Sequence, residues 1–354
     1  MPHLFSPLPL RSVTLRNRLM ISPMCMYSAK DGLANDWHLA HLGARAAGGA
    51  GLVCAEATAI EPRGRISPAD LGLWSDAQIE PLARVARFVA SQGAVPAIQL
   101  AHAGRKASTS PPWEGGGPLA PTLGGWEPVA PSALPFAPGH AMPRALATHE
   151  LPVMVDAFVQ ATRRALAAGF QAVEIHAAHG YLLHQFLSPL SNERTDDFGG
   201  RFENRVRLTL QVVEAVRAEW PERLPLLLRI STTDWAKGGW DVEQSVELAR
   251  LVSKRGVDLV DCSSGGLVPH AKIPVGPGFQ VPAGERVRRE AGVPVVAVGL
   301  ITEARQADAL VREEKADVVA IARQSLRDPS FPLHAAKELG VDVAWPVQYQ
   351  RAKP

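Results

Sequence analysis

The stretch Val173-Glu174-Ile175-His176-Ala177-Ala178-His179-Gly180-Tyr181-Leu182 puts two imidazoles and a phenol within six residues, where an apolar run ends. Val173, Ile175 and their neighbours read as a short buried strand. His176 falls at its C-terminal end, the end at which β/α folds present residues to a ligand. Two neutral imidazoles there can each donate one N–H to a single substrate oxygen, with Tyr181 supplying a proton nearby. Two other readings stand beside this one: a pair of zinc ligands, or two histidines satisfied within the core. The pairing with Tyr181 and Gly180 favours substrate chemistry.

Such a site needs a scaffold, and the chain is long enough for a large one. Its 354 residues are 46% hydrophobic and 20% charged, enough for one large core or two modest ones. A formal net charge of +2, with acids and bases interspersed, provides no long basic stripe, so nucleic acid is not an expected partner. The three cysteines, Cys25, Cys54 and Cys262, are too few and too scattered for a disulfide framework, a zinc ribbon or a cysteine-ligated iron–sulfur cluster. A reducing, cytoplasmic setting fits them. The N-terminus Met1-Pro2-His3-Leu4-Phe5 has no basic region followed by an apolar core, and runs such as Val293 to Ile301 are too short to span a bilayer. No membrane partner is expected.

β-rich runs alternate with amphipathic helical stretches along the chain. Strands are expected at Arg18 to Ser22, Gly51 to Ala57, Val95 to Gln99, Ala172 to His176, Leu226 to Ile230, Val257 to Cys262, Val295 to Val298 and Val318 to Ile321. Helices are expected at Leu39 to Ala47, with Asn35 and Asp36 available to cap it, and at Gln78 to Ser91, Leu151 to Ala168, Phe202 to Trp220, Val242 to Lys254, Ala283 to Glu290, Thr302 to Arg312 and Pro332 to Leu339. Ser108 to Pro143, rich in Pro and Gly, is a long excursion after strand three of the kind that lines a site. Eight βα units argue for a single closed (β/α)8 TIM barrel over residues 1–340, followed by a tail, 341–354. A doubly wound open sheet is the alternative, but the Gly-rich fingerprint expected after an early strand is missing.

In a barrel the residues just past each strand share one mouth. Strand one delivers Ser22, Pro23, Met24, Cys25 and Tyr27. Strand two delivers Glu56 and Ala57, strand three Gln99 and His102, strand four His176, His179 and Tyr181, and strand five Arg229. Strands seven and eight deliver Gly299, Ala322 and Arg323, where such barrels commonly bind phosphate through backbone N–H groups and a cation. The mouth thus reads as a phosphate grip at one end and an oxygen-binding histidine pair at the other.

Ser22-Pro23-Met24-Cys25, Gln99, His176 to Leu182, Arg194-Thr195-Asp196, Gly199-Gly200 and Glu203-Asn204-Arg205 together resemble the Old Yellow Enzymes, FMN-dependent ene-reductases. Cys25 in place of the more familiar threonine, with Gln348-Tyr349-Gln350-Arg351 at the C-terminus, is similar to the bacterial subgroup called thermophilic-like. Matches run from about Leu4 to Arg351. Two positions depart: Ala322 stands where a glycine is usual, and Arg201 where a small polar residue is usual.

The resemblance implies FMN and NADPH as cofactors and a TIM-barrel fold. Ser22, Pro23, Met24, Cys25, Ala57, Gln99, Arg229, Gly299, Ala322 and Arg323 are the residues it implies for the flavin. Arg229 would lie beside the N1 and carbonyl edge, Gln99 on the pyrimidine ring, and Cys25 near N5, where it tunes the potential without being a nucleophile. The alternatives on residue chemistry alone are an interior ion-pair partner for Arg229, a strand bridge for Gln99, an unreactive core thiol for Cys25 and an aromatic core residue for Tyr27. The implied reaction carries hydride from NADPH to the C=C bond of an α,β-unsaturated carbonyl or nitro compound, with ping-pong kinetics. His176 and His179 would bind the substrate oxygen beside Tyr27, and Tyr181 would protonate the α-carbon. A homodimer, or a homotetramer built from dimers, is expected, with Arg351 of the tail reaching the neighbour's substrate. Rival readings are a metal-dependent lyase or hydrolase in the same barrel, which would lack a carboxylate cluster to complete coordination, and a flavin-binding sensor without turnover.

Overall fold

A computed structural model describes residues 3–354; Met1 and Pro2, the start of the expected 1–340 unit, lie outside the described residues. Eight parallel strands close into a barrel: β1 (Leu19–Ile21), β2 (Leu52–Ala59), β3 (Val95–Ala101), β4 (Ala172–Ala177), β5 (Leu226–Ser231), β6 (Leu259–Ser263), β7 (Val295–Ala297) and β8 (Val318–Ile321). Each pairs with its neighbours in chain order, and β8 returns to β1. Every residue of these strands is buried, because helices cover the outside and side chains fill the inside. That is why they read in the sequence as nearly continuous apolar runs.

The outer ring is α1 (Asp36–Ala47), α2 (Ile79–Ser91), α3 (Leu151–Ala167), α4 (Arg207–Glu219), α5 (Val242–Ser253), α6 (Val281–Ala291), α7 (Ala304–Arg312) and α8 (Phe331–Glu338). Asn35 caps α1, its side chain accepting the Trp37 N–H, and Leu82, Val85 and Val89 on one stripe of α2 are buried against the barrel. The helix expected over Phe202 to Trp220 is divided at Val206 into a short turn, Phe202–Arg205, and α4. Arg205 and Arg207 reach back to the carbonyls of Gly200 and Asp197, which ties this corner to the loop before it.

Three further elements were not expected from the sequence. A hairpin, Leu8–Leu10 with Val13–Leu15, precedes β1. A six-residue helix, Leu182–Leu187, starts inside the histidine motif, and a five-residue helix, Arg323–Arg327, starts at the end of β8. The excursion over 108–143 is irregular as expected, holding only isolated turns and one two-residue strand pairing with Arg144–Ala145. A bulge at Ala55/Ala57 interrupts the pairing of β2 with β3 and so changes the aim of the side chains at the mouth beside Glu56. The tail folds along the outside: Asp342–Ala344 line a groove with Asn17 and Gly49 at the N-terminal rim, and Trp345 and Lys353 pack near Leu333 and Lys337 of α8.

Candidate active site

His176 lies near the end of β4, directly across from Arg229 of β5, which is in turn across from Asp261 of β6. After His176 the chain turns sharply, with φ 58° at His179 and 74° at Gly180. Gly180 cannot be replaced cheaply, since a Cβ there would meet the Gly266 carbonyl oxygen at 2.2 Å. The turn brings the His176 and His179 ring centroids to 5.1 Å, edge to face, and places the Tyr181 ring 5.1 Å from His176. All three sequence-predicted chemical groups therefore meet in one place.

Their supports come from neighbouring strands. The His179 N–H donates to Ser231 Oγ at 2.9 Å, Ser231 donates to the Gly265 carbonyl at 2.8 Å, and His179 Nε2 shares a 2.7 Å hydrogen bond with Ser263 Oγ. Behind the turn, His184 Nδ1 accepts the Gly180 N–H at 2.9 Å while its Nε2 lies 2.8 Å from Asp234. That arrangement places the His184 proton on Nε2. Burial, then the Arg229 charge, holds both His176 and His179 well below the usual imidazole range, so both are neutral at pH 7. Burial likewise pushes the Tyr181 phenol far up, followed by Cys25 and Tyr27, so it keeps its proton.

Beneath the histidines lies a polar layer inside an otherwise apolar barrel. Gln99 on β3 donates its amide to Glu174 on β4 at 2.7 Å, and Arg229 Nε is 3.1 Å from Asp261. Strand bridging and interior ion pairing are thus real features of Gln99 and Arg229. Both side chains nonetheless lie at the mouth end of the barrel, and beyond the Arg229–Asp261 ion pair, Arg229 Nε, Glu174 Oε2 and both Asp261 oxygens make no aligned hydrogen bond among the described residues. Burial and the Asp261 charge push Glu174 up to about 8.

Past β1, Ser22 is buried and Pro23 to Tyr27 are half-buried. The Ser22 N–H donates to Ile321 of β8 at 3.1 Å, leaving its buried hydroxyl unpartnered. Pro23 and Met24 follow in the loop. Cys25 is a free, half-buried thiol that burial pushes up, which removes the thiolate a nucleophile needs. Tyr27, at φ 47°, packs edge-on against Trp113 of the excursion at 5.9 Å. Ala57 and Tyr181 share a small cavity wall with Asp70. His102 is tied to the neighbouring loops, accepting from the Gly104 N–H at 3.0 Å and facing Glu61 at 2.8 Å.

A cavity of about 280 Å³ runs from His179 and Ser263 past Gly299 to Ala322, Arg323 and Arg327. Arg323 is exposed at its rim, and Ala322, where a glycine is usual, has a φ of −107°, so it is not held in the positive-φ region that glycine alone adopts freely. Arg351 is exposed on the turn Val347–Ala352, in the tail whose Trp345 and Lys353 lie beside Leu333 and Lys337 of α8. Among the described residues no three His, Cys, Asp or Glu side chains converge as metal ligands, and no helix is long and apolar enough to cross a membrane.

A family model described as NADH:flavin oxidoreductase / NADH oxidase matches residues 3–341. The chain belongs to this family. Relatives of this flavin oxidoreductase include the NADPH dehydrogenases of Halalkalibacterium halodurans, 45% identical over 99% of this chain and 98% of that protein, and of Geobacillus thermodenitrificans, 47% identical over 98% of each. Among solved structures, morphinone reductase in complex with tetrahydroNAD matches at TM-score 0.80 and 30% identity, over 98% of this chain and 93% of that one. The old yellow enzyme homologue from Zymomonas mobilis matches at TM-score 0.80 and 27% identity, over 100% and 99%. The flavin oxidoreductase is thus an FMN enzyme of the Old Yellow Enzyme kind, with a nicotinamide as its other cofactor. The mouth fits a flavin nucleotide: the cavity ends on Arg323, a cation with no ion pair among the described residues, and at the ends of β1 and β4 Ser22 Oγ and His176 Nδ1 are buried with no hydrogen-bond partner among the described residues.

Three charged residues at the mouth were missed in the sequence. Lys106 follows β3 closely, so the strand-end rule that found Gln99 would have reached it. Glu174 and Asp261 are charged residues within apolar strand runs, a pattern that itself marks a buried polar layer.

Proposed function

We propose that the chain is an ene-reductase: it takes hydride from NADPH and delivers it to the C=C bond of α,β-unsaturated carbonyl or nitro compounds, the two substrates using one mouth in turn. The carrying observation is the pair of neutral imidazoles 5.1 Å apart with a protonated phenol beside them. When bound, FMN supplies the hydride chemistry. The chain's own groups bind and polarise. His176 and His179 hold the substrate oxygen, where negative charge grows as the β-carbon is reduced, and neutral N–H donors in a buried site stabilise that charge without reorganising. Tyr181 Oη gives its proton to the α-carbon and recovers one from solvent. Tyr27 would line the substrate side, Arg229 and Gln99 would hold the flavin's pyrimidine ring, Ser22, Pro23, Met24, Cys25 and Ala57 would border its ring system, and Gly299, Ala322 and Arg323 would hold the phosphate.

The test is optical. The purified protein should be yellow, bleach with NADPH under anaerobic conditions, and regain its colour with an enone, while initial rates give parallel reciprocal plots. Bleaching that no enone or nitroalkene reverses would leave a flavin protein without this activity.

Arg323→Ala should lower FMN affinity by roughly tenfold to a hundredfold, since one charge-assisted contact is worth about 1.5–3 kcal/mol. Fluorescence titration of the flavin-free protein measures it. Affinity equal to wild type would remove Arg323 from the phosphate site.

The tail 341–354 completes the reading as a proposal about assembly in the cytoplasm, where the three free cysteines stay reduced. Tyr349 is 53% exposed and Val347 78% exposed, an apolar turn suited to packing on a second copy in a homodimer or a homotetramer of dimers. There Arg351 would enter the neighbour's mouth. Deleting residues 347–354 should raise the Michaelis constant several-fold with FMN retained. Mixed dimers of that truncation with a His176→Ala chain should regain one complete site, and failure of confirmed heterodimers to do so would refute donation between subunits.

A further inference from the structure

Lys106 ends the short turn Gly104–Lys106 after β3, and its ammonium is held in an unusual way. Nζ donates to two backbone carbonyls, His179 at 2.8 Å and Gly266 at 3.0 Å, and sits over two rings, Phe136 at 4.7 Å and Tyr181 at 5.1 Å from the centroids. Among the described ion pairs none involves Lys106. One cation therefore joins the loops after β3, β4 and β6 and the excursion after β3, with no carboxylate to neutralise it. We propose that Lys106 is the positioning residue of this site: its ammonium fastens the His179 turn to the Gly266 loop, and its positive charge adds to burial and Arg229 in disfavouring a second proton on His176 and His179, the neutral donors that can serve a developing oxyanion. The last clause rests on the ene-reductase reading.

The geometry supports both halves. His179 sits at φ 58°, a backbone conformation that persists only where its surroundings over-determine it. Gly180 and Gly266 allow the two loops to touch, since a Cβ on Gly266 would lie 2.7 Å from His179 Cα. Two carbonyls brought this close repel each other, and a shared ammonium offsets that repulsion. The charged and titratable groups facing this place are Arg105 on the same turn, His176, His179, Tyr181 and His184 from the β4 side, Arg229 from β5, and His140 from the excursion. The one nearby acid that carries negative charge is Asp234, which lies behind them 2.8 Å from His184 and also acts on Arg105, and it makes no ion pair with Lys106. Lys106 acts on both imidazoles in the direction that favours the neutral form, as does Arg229. Burial, then Arg105, pulls Lys106 itself down to about 8, so the clamp loses its proton as pH rises past that value.

Two variants of the FMN-loaded protein test this. In Lys106→Met the titration midpoints of His176 and His179, followed by NMR with 15N-histidine labelling, should rise by roughly one on the pH scale, and in Lys106→Arg they should stay near wild type. The enone rate of wild type should fall above pH 8, and Lys106→Arg, whose guanidinium does not titrate there, should lack that fall. Unmoved histidine midpoints in Lys106→Met would overturn the proposal even if the rate dropped, since a plain tether would give that result. Should Lys106→Met fail to fold, an alkaline fall that persists in Lys106→Arg overturns it instead. The histidine midpoints do not depend on what the enzyme reduces, so failure of the ene-reductase reading shows separately, as absence of enone turnover in wild type.

Discussion

Replacing His176 or His179 with alanine is expected to slow enone-driven return of the bleached flavin by roughly 10²- to 10³-fold, the usual cost of deleting one preorganised donor to a developing oxyanion. FMN retention should not change, because neither imidazole is placed at the Arg323 end of the cavity. The two losses should not add. With one donor gone the substrate oxygen is already misplaced, so the double variant should fall well short of the product of the singles. Asparagine at either position keeps an N–H and should recover part of the rate. His179 is the more sensitive position structurally, since its side chain also engages Ser263, whereas its backbone link to Ser231 survives substitution. Stopped-flow mixing of pre-reduced protein with an enone reads the effect directly. A wild-type rate in either alanine variant would end the assignment.

The barrel was legible because parallel strands buried on both faces must be continuous apolar runs, and Val318 to Ile321 or Leu226 to Ile230 can hardly be anything else. The elements that escaped were short. Three-residue strands such as Leu8–Leu10 carry too little pattern to distinguish from loop, and Leu182–Leu187 owes its helix to the turn before it, where His184 accepts the Gly180 N–H. The same division holds at the site. His176, His179 and Tyr181 are close in sequence and announce themselves together. Lys106 has no local partner, and its position is decided by loops 73 and 160 residues away in the chain. Glu174 sat in plain view within the histidine motif, yet its environment depends on Asp261 and Arg229 from two other strands.

That environment sets the second large effect. Arg229 offers one positive charge to two fully buried carboxyl groups, Glu174 and Asp261, so ionising both would leave a net negative charge in the barrel interior. The folded protein avoids this by keeping a proton on the pair, which appears as Glu174 pushed up to about 8 from 4.5. The unfolded chain releases that proton near the ordinary carboxyl value, so between about pH 4.5 and 8 the folded state binds more protons than the unfolded one. Stability must then fall as pH rises through that window and level off above it. Glu174→Gln removes the titration while keeping an acceptor for the Gln99 amide and adding an N–H among the neighbouring carboxylates. Each tenfold difference in proton affinity between the folded and unfolded states is worth about 1.4 kcal/mol, so the variant should overtake wild type by a few kcal/mol between pH 5 and pH 9. Urea unfolding of both proteins across that range, at one fixed FMN concentration, measures the difference. Curves that stay parallel from pH 5 to pH 9 would mean that Glu174 is ionised throughout and that Arg229 satisfies both carboxylates on its own.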